Sequence, residues 1–405
     1  MDISFLFSGQ GSQYKGMGKN LITNYQSSRN VFEEASDVLH INVLEQCMNG
    51  SNEWLTDTEN TQTILLTYEV AAFQAVMEYY DLEPRFLAGH SIGEISAITC
   101  AGGMEFPKAL ELVRERGRLM KKYGSQKGEM VALLGVSTEY LDFVCKKVSS
   151  KENEIVSISN YNSSKQTVIA GSTNGIQRVC EEVKKMHIPA IKLKVNTPFH
   201  CGLMKEAAED FEAFIGDTQM EELRYPVVSN ITGLPYTNQT NLAKYLANHI
   251  MNPVQWRKSV SYMYDHGAEL FLQLGPKDSL QKMAREDFPN VQAFTIDKED
   301  GLKGFEMLLK KERYDAMKSC LGFVVSEKNE VYQKEDYETK VIKPYASLKT
   351  TINDFIEQDK LPNKDDMKKV FLDTCEILKQ KKKDKECAET CREVMSLYRR
   401  LEIGE

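Results

Sequence analysis

The apolar run Ile3-Ser4-Phe5-Leu6-Phe7 stops at Ser8-Gly9-Gln10-Gly11-Ser12-Gln13, a pattern that predicts a buried strand feeding a glycine loop. Helical spacing of apolar residues then fills much of the chain to residue 80. A second short run, Phe86-Leu87-Ala88, leads into Gly89-His90-Ser91-Ile92-Gly93. Strand, glycine loop and helix in repetition predict an α/β layer on a mostly parallel sheet. The rhythm changes near residue 129. Met130-Val131-Ala132-Leu133-Leu134 predicts a strand and 138–148 a helix. Residues 155–159 and 166–170 predict a strand pair joined through Asn162-Ser163-Ser164, followed by a helix over 174–186 and a strand over 190–195. That β-α-β-β-α-β order is the ferredoxin-like unit. It predicts a small subdomain, 128–195, inserted in a larger one made of 1–127 and 196–309, with a cleft suited to a substrate between them.

Beyond residue 310 the chain becomes charge-rich. Residues 310–405 hold 21 lysines and arginines and 20 aspartates and glutamates, with few apolar clusters before 345. Met367, Val370, Phe371, Thr374, Cys375 and Leu378 keep helical spacing, as do Cys387, Cys391, Val394, Tyr398 and Leu401. A helical hairpin is expected, with Lys379-Gln380-Lys381-Lys382-Lys383 as a solvated bend or a docking spot for an acidic partner. Cys387 and Cys391 lack the further cysteine or histidine that a metal site needs, so packed thiols and no metal are expected.

Composition narrows the class. The 405 residues are 41% apolar and 27% charged, as in a soluble globular protein. No basic leader and no membrane-length apolar stretch is evident, so a cytoplasmic location and no membrane contact are expected. Nine scattered cysteines argue against a disulfide framework, and a net charge of −8 against a nucleic-acid surface.

A serine between glycines at a strand-to-helix junction reads as a nucleophile elbow, although Gly-x-Ser-x-Gly also occurs in ordinary tight turns. The serine hydroxyl needs a base. His90 is its neighbour, but adjacent elbow residues usually diverge. His200, in Asn196-Thr197-Pro198-Phe199-His200-Cys201, lies where the chain returns from the inserted subdomain, and is either that base or a packed structural histidine. The Ile92 and Gln10 N–H groups are candidates for stabilising an oxyanion. In the helix predicted from 107 to about 122, Ala109, Leu112, Val113 and Met120 form an apolar stripe, and Arg116 falls on it. An inward arginine pairs a buried carboxylate, snorkels outward, or clamps the carboxylate of a substrate.

Together these pieces resemble the malonyl-CoA:acyl-carrier-protein transacylases, including the free-standing acyltransferases of polyketide synthases. The resemblance covers about residues 1–310. It rests on Gly9-Gln10-Gly11-Ser12-Gln13, Gly89-His90-Ser91-Ile92-Gly93-Glu94, Arg116-Gly117 and Asn160-Tyr161-Asn162-Ser163. Pro198-Phe199-His200-Cys201, Asn252-Pro253-Val254-Gln255-Trp256 and Leu274-Gly275-Pro276 continue it in the same order. The resemblance implies an α/β-hydrolase-like core with a ferredoxin-like insert and a C-terminal helical extension. It implies a ping-pong reaction on malonyl-CoA, with no bound cofactor, in which Ser91 is the nucleophile and His200 the base. Gln10 and Ile92 N–H groups would hold the oxyanion, and Arg116 the free carboxylate. The carbonyl of Gln255 would orient His200, with Asn162 and His90 supporting, and Phe199 narrowing the room for an α-branch. The implied partners are a coenzyme A thioester and a holo acyl carrier protein, with a polyketide synthase as a further partner through the extension.

Two departures stand out: Lys277-Asp278-Ser279 follows Gly275-Pro276 where the family usually has another glycine, and the extension has no counterpart in the common fold. Carrier proteins are typically acidic, so Lys184, Lys185, Lys192 and Lys194, or Lys121 and Lys122, are expected to dock one. The alternatives are a trans-acting acyl hydrolase that clears stalled carrier proteins, a general esterase, and an inactive scaffold.

Overall fold

Nine strands form among the described residues: β1 (Ile3–Phe7), β2 (Phe86–Gly89), β3 (Glu129–Leu134), β4 (Val156–Tyr161), β5 (Gln166–Gly171), β6 (Ala190–Lys192), β7 (Val227–Val228), β8 (Leu270–Gln273) and β9 (Gln292–Thr295). The computed structural model describes residues 2–150, 154–216, 218, 220–237, 240–330, 334–381 and 386–402. The chain divides into two units. One holds residues 3–75 and 85–298; the other holds 76–84 and the chain from Glu299 onward.

In the first unit, β7-β2-β1-β8-β9 form one sheet whose pairings are all parallel. Every residue of β1, β2 and β8 is buried, as expected for strands covered by helices on both faces. The β1–β2 register sets Phe7 beside Gly89. The glycine loop after β1 and the turn after β2 therefore leave the sheet side by side at its carboxyl edge, where such sheets collect ligands. Two glycines make the second turn possible. A Cβ on Gly89 would stand 1.8 Å from Gly93, and one on Gly93 2.4 Å from the Phe7 carbonyl oxygen. The helix Ile92–Cys100 that follows is buried along nearly its whole length, its polar Glu94, Ser96 and Thr99 included.

Between β3 and β6 the observed order is β3, helix Thr138–Ser149, β4, β5, helix Thr173–Lys184, β6, matching the expected β-α-β-β-α-β. The sheet order is β4-β5-β3-β6, with every pairing antiparallel. Alternation along the strands divides their work. Val131, Leu133 and Ile169 pack into the core beneath the two helices, while Met130, Ala132 and Val168 turn to the opposite face. The sixth strand is shorter than the expected 190–195, and its three residues are exposed at the sheet edge.

This insert is stitched to the parallel-sheet body along one side. Val254 N–H donates to Ser159 O at 2.8 Å and Val254 O accepts from Tyr161 N–H at 2.9 Å. Ser163 Oγ donates to Glu286 and Ser164 N–H to Asp287, each at 2.7 Å.

The second unit is helical and departs from the hairpin expectation. Helix Glu299–Ser326 runs straight through residue 310, so the unit begins at 299. Lys334–Tyr337, a wide turn over Glu338–Ile342, and helices Lys343–Glu357, Lys364–Lys381 and Glu386–Glu402 follow. Ala316, Met317, Cys320 and Val324 join Leu348, Ile352, Val370, Phe371 and Leu378 in one core, supplying the apolar cluster not expected before 345. Within this unit Arg313 is 5% exposed and donates to the carbonyls of Tyr80 and Pro362. Lys381 is also buried and donates to the carbonyls of Val324 and Glu327. Lys381 thus belongs to the core and not to a solvated bend; Lys382 and Lys383 lie outside the described residues. Cys391 is packed against Cys375, and the Cys387 side chain also lies outside them. Among the described residues there is no metal-holding cluster and no helix long and apolar enough to cross a membrane.

Candidate active site

Ser91 stands at the tip of the turn after β2 with φ 54° and ψ −111°, a backbone conformation that costs a non-glycine residue about 1–3 kcal/mol. The turn is braced. His90 N–H donates to Phe7 O, and Ser91 N–H donates to Asn230 Oδ1 at 2.8 Å. Strain held in this way lifts the hydroxyl clear of the helix Ile92–Cys100, whose N-terminal N–H groups start at the next residue. Gly9 lies so close to His90 that a Cβ there would meet it at 2.8 Å, which keeps the Gln10 loop beside the elbow.

Ser91 Oγ lies 2.8 Å from His200 Nε2, and His200 Nδ1 lies 2.8 Å from the carbonyl oxygen of His249. A carbonyl only accepts, so Nδ1 carries the ring proton and Nε2 is left to accept from the serine hydroxyl. Burial, and then the positive charge of Arg116, push the His200 pKa down to about 3, against the opposing pull of the His249 carbonyl. The imidazole is therefore neutral at neutral pH, the form in which it can take a proton.

The orienting carbonyl belongs to His249 and not, as expected, to Gln255. The reason lies in the helix end. In helix Leu242–Met251 the His249 carbonyl would accept from residue 253, but Pro253 has no N–H, so the oxygen is free. Gln255 instead donates its N–H to Asn230 O at 2.7 Å and begins the next helix, Trp256–Asp265.

Arg116 is 1% exposed on helix Phe106–Gly124, on the stripe the sequence predicts, whereas Arg114 and Arg118 reach surface glutamates. Its Nη1 donates to Gln62 Oε1 at 2.8 Å and its Nη2 to Ser91 Oγ at 3.4 Å, while Nε is buried with no partner. Burial lowers its pKa to about 10, partly offset by Glu94, and it stays cationic at neutral pH. A buried cation with unspent donors beside a nucleophile is suited to an incoming carboxylate.

A cavity of about 370 Å³ opens above the serine between the two sheets. Gln10, His90, Ser91, Asn162, Phe199 and His200 line it, facing an apolar wall from the insert. His90 Nε2 and Asn162 Oδ1 are 2.9 Å apart, and Asn162 Nδ2 donates to Gln166 at 2.7 Å, so this pair bridges the two sides of the cleft. Phe199 is buried next to the histidine. Of the expected docking lysines, Lys185 pairs with Glu182, Lys192 with Glu129, Lys121 with Asp57 and Lys122 with Asp210. Lys184 and Lys194 are exposed and make no ion pair among the described residues.

Gln62, Glu94, Asn230 and His249 were not foreseen. Two left a readable signal: Glu94 closes the motif that begins at Gly89, and His249 stands four residues before a proline. Asn230 follows a two-residue strand and lies 139 residues from the serine it braces, with no periodicity to mark it.

With fold and site in view, comparison with known proteins gives the class. The acyl transferase domain family matches residues 4–299, ending where helix Glu299–Ser326 begins. A malonyl CoA-acyl carrier protein transacylase of Bacillus subtilis is 34% identical over 296 residues, 73% of this chain and 74% of its own length. Another, from B. subtilis strain 168, is 32% identical over 316 residues, 78% of this chain and 99% of its own. The solved transacylase of Clostridium perfringens aligns with TM-score 0.73 and 31% identity over 77% of this chain and 98% of its own. A malonyl-transacylase solved with its type II polyketide synthase acyl-carrier protein gives TM-score 0.71 and 32% identity over 75% and 98%. The chain belongs to the malonyl-CoA:acyl-carrier-protein transacylase family, and is an acyltransferase.

Proposed function

We propose that this enzyme moves a malonyl group from coenzyme A to the phosphopantetheine thiol of an acyl carrier protein, with Ser91 as nucleophile and His200 as base. The observation that carries the reading is one hydroxyl held 2.8 Å from a neutral imidazole nitrogen and 3.4 Å from a buried guanidinium. His200 Nε2 takes the Ser91 proton as Oγ attacks the thioester carbonyl. The oxyanion gathers on the N–H groups of Gln10 and Ile92, the second at a helix N-terminus. On collapse the carbon–sulfur bond breaks, and His200 returns the proton to the departing thiolate. The carrier thiol then gives its proton to His200, attacks the acyl-serine, and releases Ser91, which recovers that proton.

Arg116 makes this acyltransfer responsive to its substrate. Its charge helps hold the His200 pKa down, which weakens the base. A malonyl carboxylate seated on Arg116 offsets that charge and raises the histidine toward the working pH, whereas an acetyl group does not. Lys184 and Lys194, exposed cations of the insert that make no ion pair among the described residues, form the surface that meets the acidic carrier protein. Service in trans to a polyketide synthase is supported by the resemblance to the complex-forming malonyl-transacylase and by the added helical unit.

Intact-protein mass spectrometry after incubation with malonyl-CoA tests the reading. A malonyl adduct should form on wild type, be absent in Ser91→Ala, and pass to added holo carrier protein. Release of free malonate in place of transfer would instead make the enzyme an acyl hydrolase.

A further inference from the structure

Beneath the elbow, a closed ring of polar groups runs from the nucleophile to its base and back. Ser91 N–H donates to Asn230 Oδ1 at 2.8 Å, while Asn230 Nδ2 donates to Gly89 O at 2.6 Å. One amide thus spans His90 and grips the chain on the approach to the strained Ser91. Asn230 N–H donates to Glu94 Oε1 at 2.8 Å, an oxygen that also accepts from Tyr236 Oη at 2.9 Å. Glu94 Oε2 lies 3.1 Å from His249 Nδ1, out of line for a hydrogen bond, and neither atom has another partner. The His249 carbonyl holds His200, and His200 meets Ser91 Oγ, which closes the ring.

Resting on the function proposed above, we propose that Glu94 is a positioning residue that couples the backbone of the Ser91 elbow to the support of His200. Glu94 and His249 are both 0% exposed, and so buried a carboxylate costs stability unless its contacts offset the lost hydration. Its place on the first turn after Ser91, with Glu94 N–H donating to Ser91 O, makes it part of the elbow it braces. Burial raises the Glu94 carboxyl to about 7, against the Asn230 amide, the Tyr236 and Ser229 hydroxyls and Arg116. Burial likewise holds His249 well below the ordinary histidine value, so a proton shared by the pair rests with the carboxyl and not the ring. The ring therefore acts through position: displacing Glu94 shifts both Asn230 and His249, and with them both reacting groups.

The test follows Ser91 with phenylmethanesulfonyl fluoride, whose sulfonylation rate reports nucleophile geometry without any thioester, alongside kcat and KM for malonyl transfer. Glu94→Gln keeps an acceptor for Asn230 and Tyr236 and offers a donor to His249, so it should stay within about threefold of wild type. Glu94→Ala and Asn230→Ala should each lose about 30- to 100-fold in sulfonylation rate and in kcat, with KM for malonyl-CoA within about threefold. The double variant should be little worse than the poorer single, because both break one ring. Asn230→Ser supplies the same comparison where Glu94→Ala does not fold. Wild-type sulfonylation in folded Glu94→Ala or Asn230→Ala, a loss confined to KM, or multiplying losses in the double variant would overturn the coupling. A wild type that forms no malonyl adduct, yet whose sulfonylation depends on Glu94 as stated, would refute the malonyl reading and leave the coupling standing.

Discussion

Arg116 and Arg313 are both buried cations, yet they do opposite things with their donors. Arg313, in the helical unit, spends its guanidinium on the carbonyls of Tyr80 and Pro362. Arg116, in the acyltransferase unit, has one firm partner in Gln62, a long contact to Ser91 and an unpartnered Nε. Burial lowers the pKa of each, so both incur the same kind of desolvation cost. One recovers that cost within its own chain as a staple between segments; the other keeps capacity beside a nucleophile. Burial of a charge says little about its purpose. The number of donors left over says more.

That contrast can be broken most directly at Arg116. Arg116→Met should lower malonyl transfer by about 100-fold or more, the size expected for removing one partner of a buried charge-assisted pair. Its thermal midpoint should hold, because only Gln62 and, through a long contact, Ser91 lose a partner. Steady-state kinetics beside calorimetry would check this, and a variant that lost stability but kept malonyl transfer would dissolve the distinction. Arg313→Met should do the reverse. Orphaning two buried carbonyls should cost about 2–4 kcal/mol in denaturant unfolding, while the rate of Ser91 acylation by malonyl-CoA stays at wild type. A slower acylation in that variant would show that the staple serves the site after all.

The smallest effect concerns pH. The base works only when neutral, so acylation is lost as pH falls through the folded pKa of His200, near 3, and not through the ordinary histidine value. In kcat/KM, which reports the free enzyme, acylation should therefore be flat in its His200 dependence down to about pH 5. Arg116→Met removes a positive neighbour, so its acid limb should move up toward neutrality when acetyl-CoA is the donor. An unmoved limb would show that burial alone sets the histidine.

Much of this site was legible in the chain because its reacting groups are side chains set by local patterns. Ser91 was marked by glycines that the turn requires, and Arg116 by a polar residue on an apolar stripe. The ferredoxin-like order was likewise readable from alternation. What escaped was held by the backbone or by distant loops. The carbonyl that orients His200 has no residue type of its own, and Asn230 meets Ser91 only through tertiary structure. The helical unit was misjudged for another reason. Ala316, Met317, Cys320 and Val324 do follow helical spacing, but the dense charges between them hid the stripe and drew the boundary to 310.

Hydrogen bonds hold one edge of the insert to the parallel-sheet body, and the crossing chain holds the other. Backbone bonds at Val254 fix the β4 edge of its sheet, while β6 lies three strand spacings away, about 14 Å. Four residues beyond β6 the chain is back in the body, where Asn196 O accepts from Gln126 N–H, so the other edge is tethered as well. The wall that Met130, Ala132, Val168 and Ile191 present to the cavity is therefore anchored along both edges of its sheet.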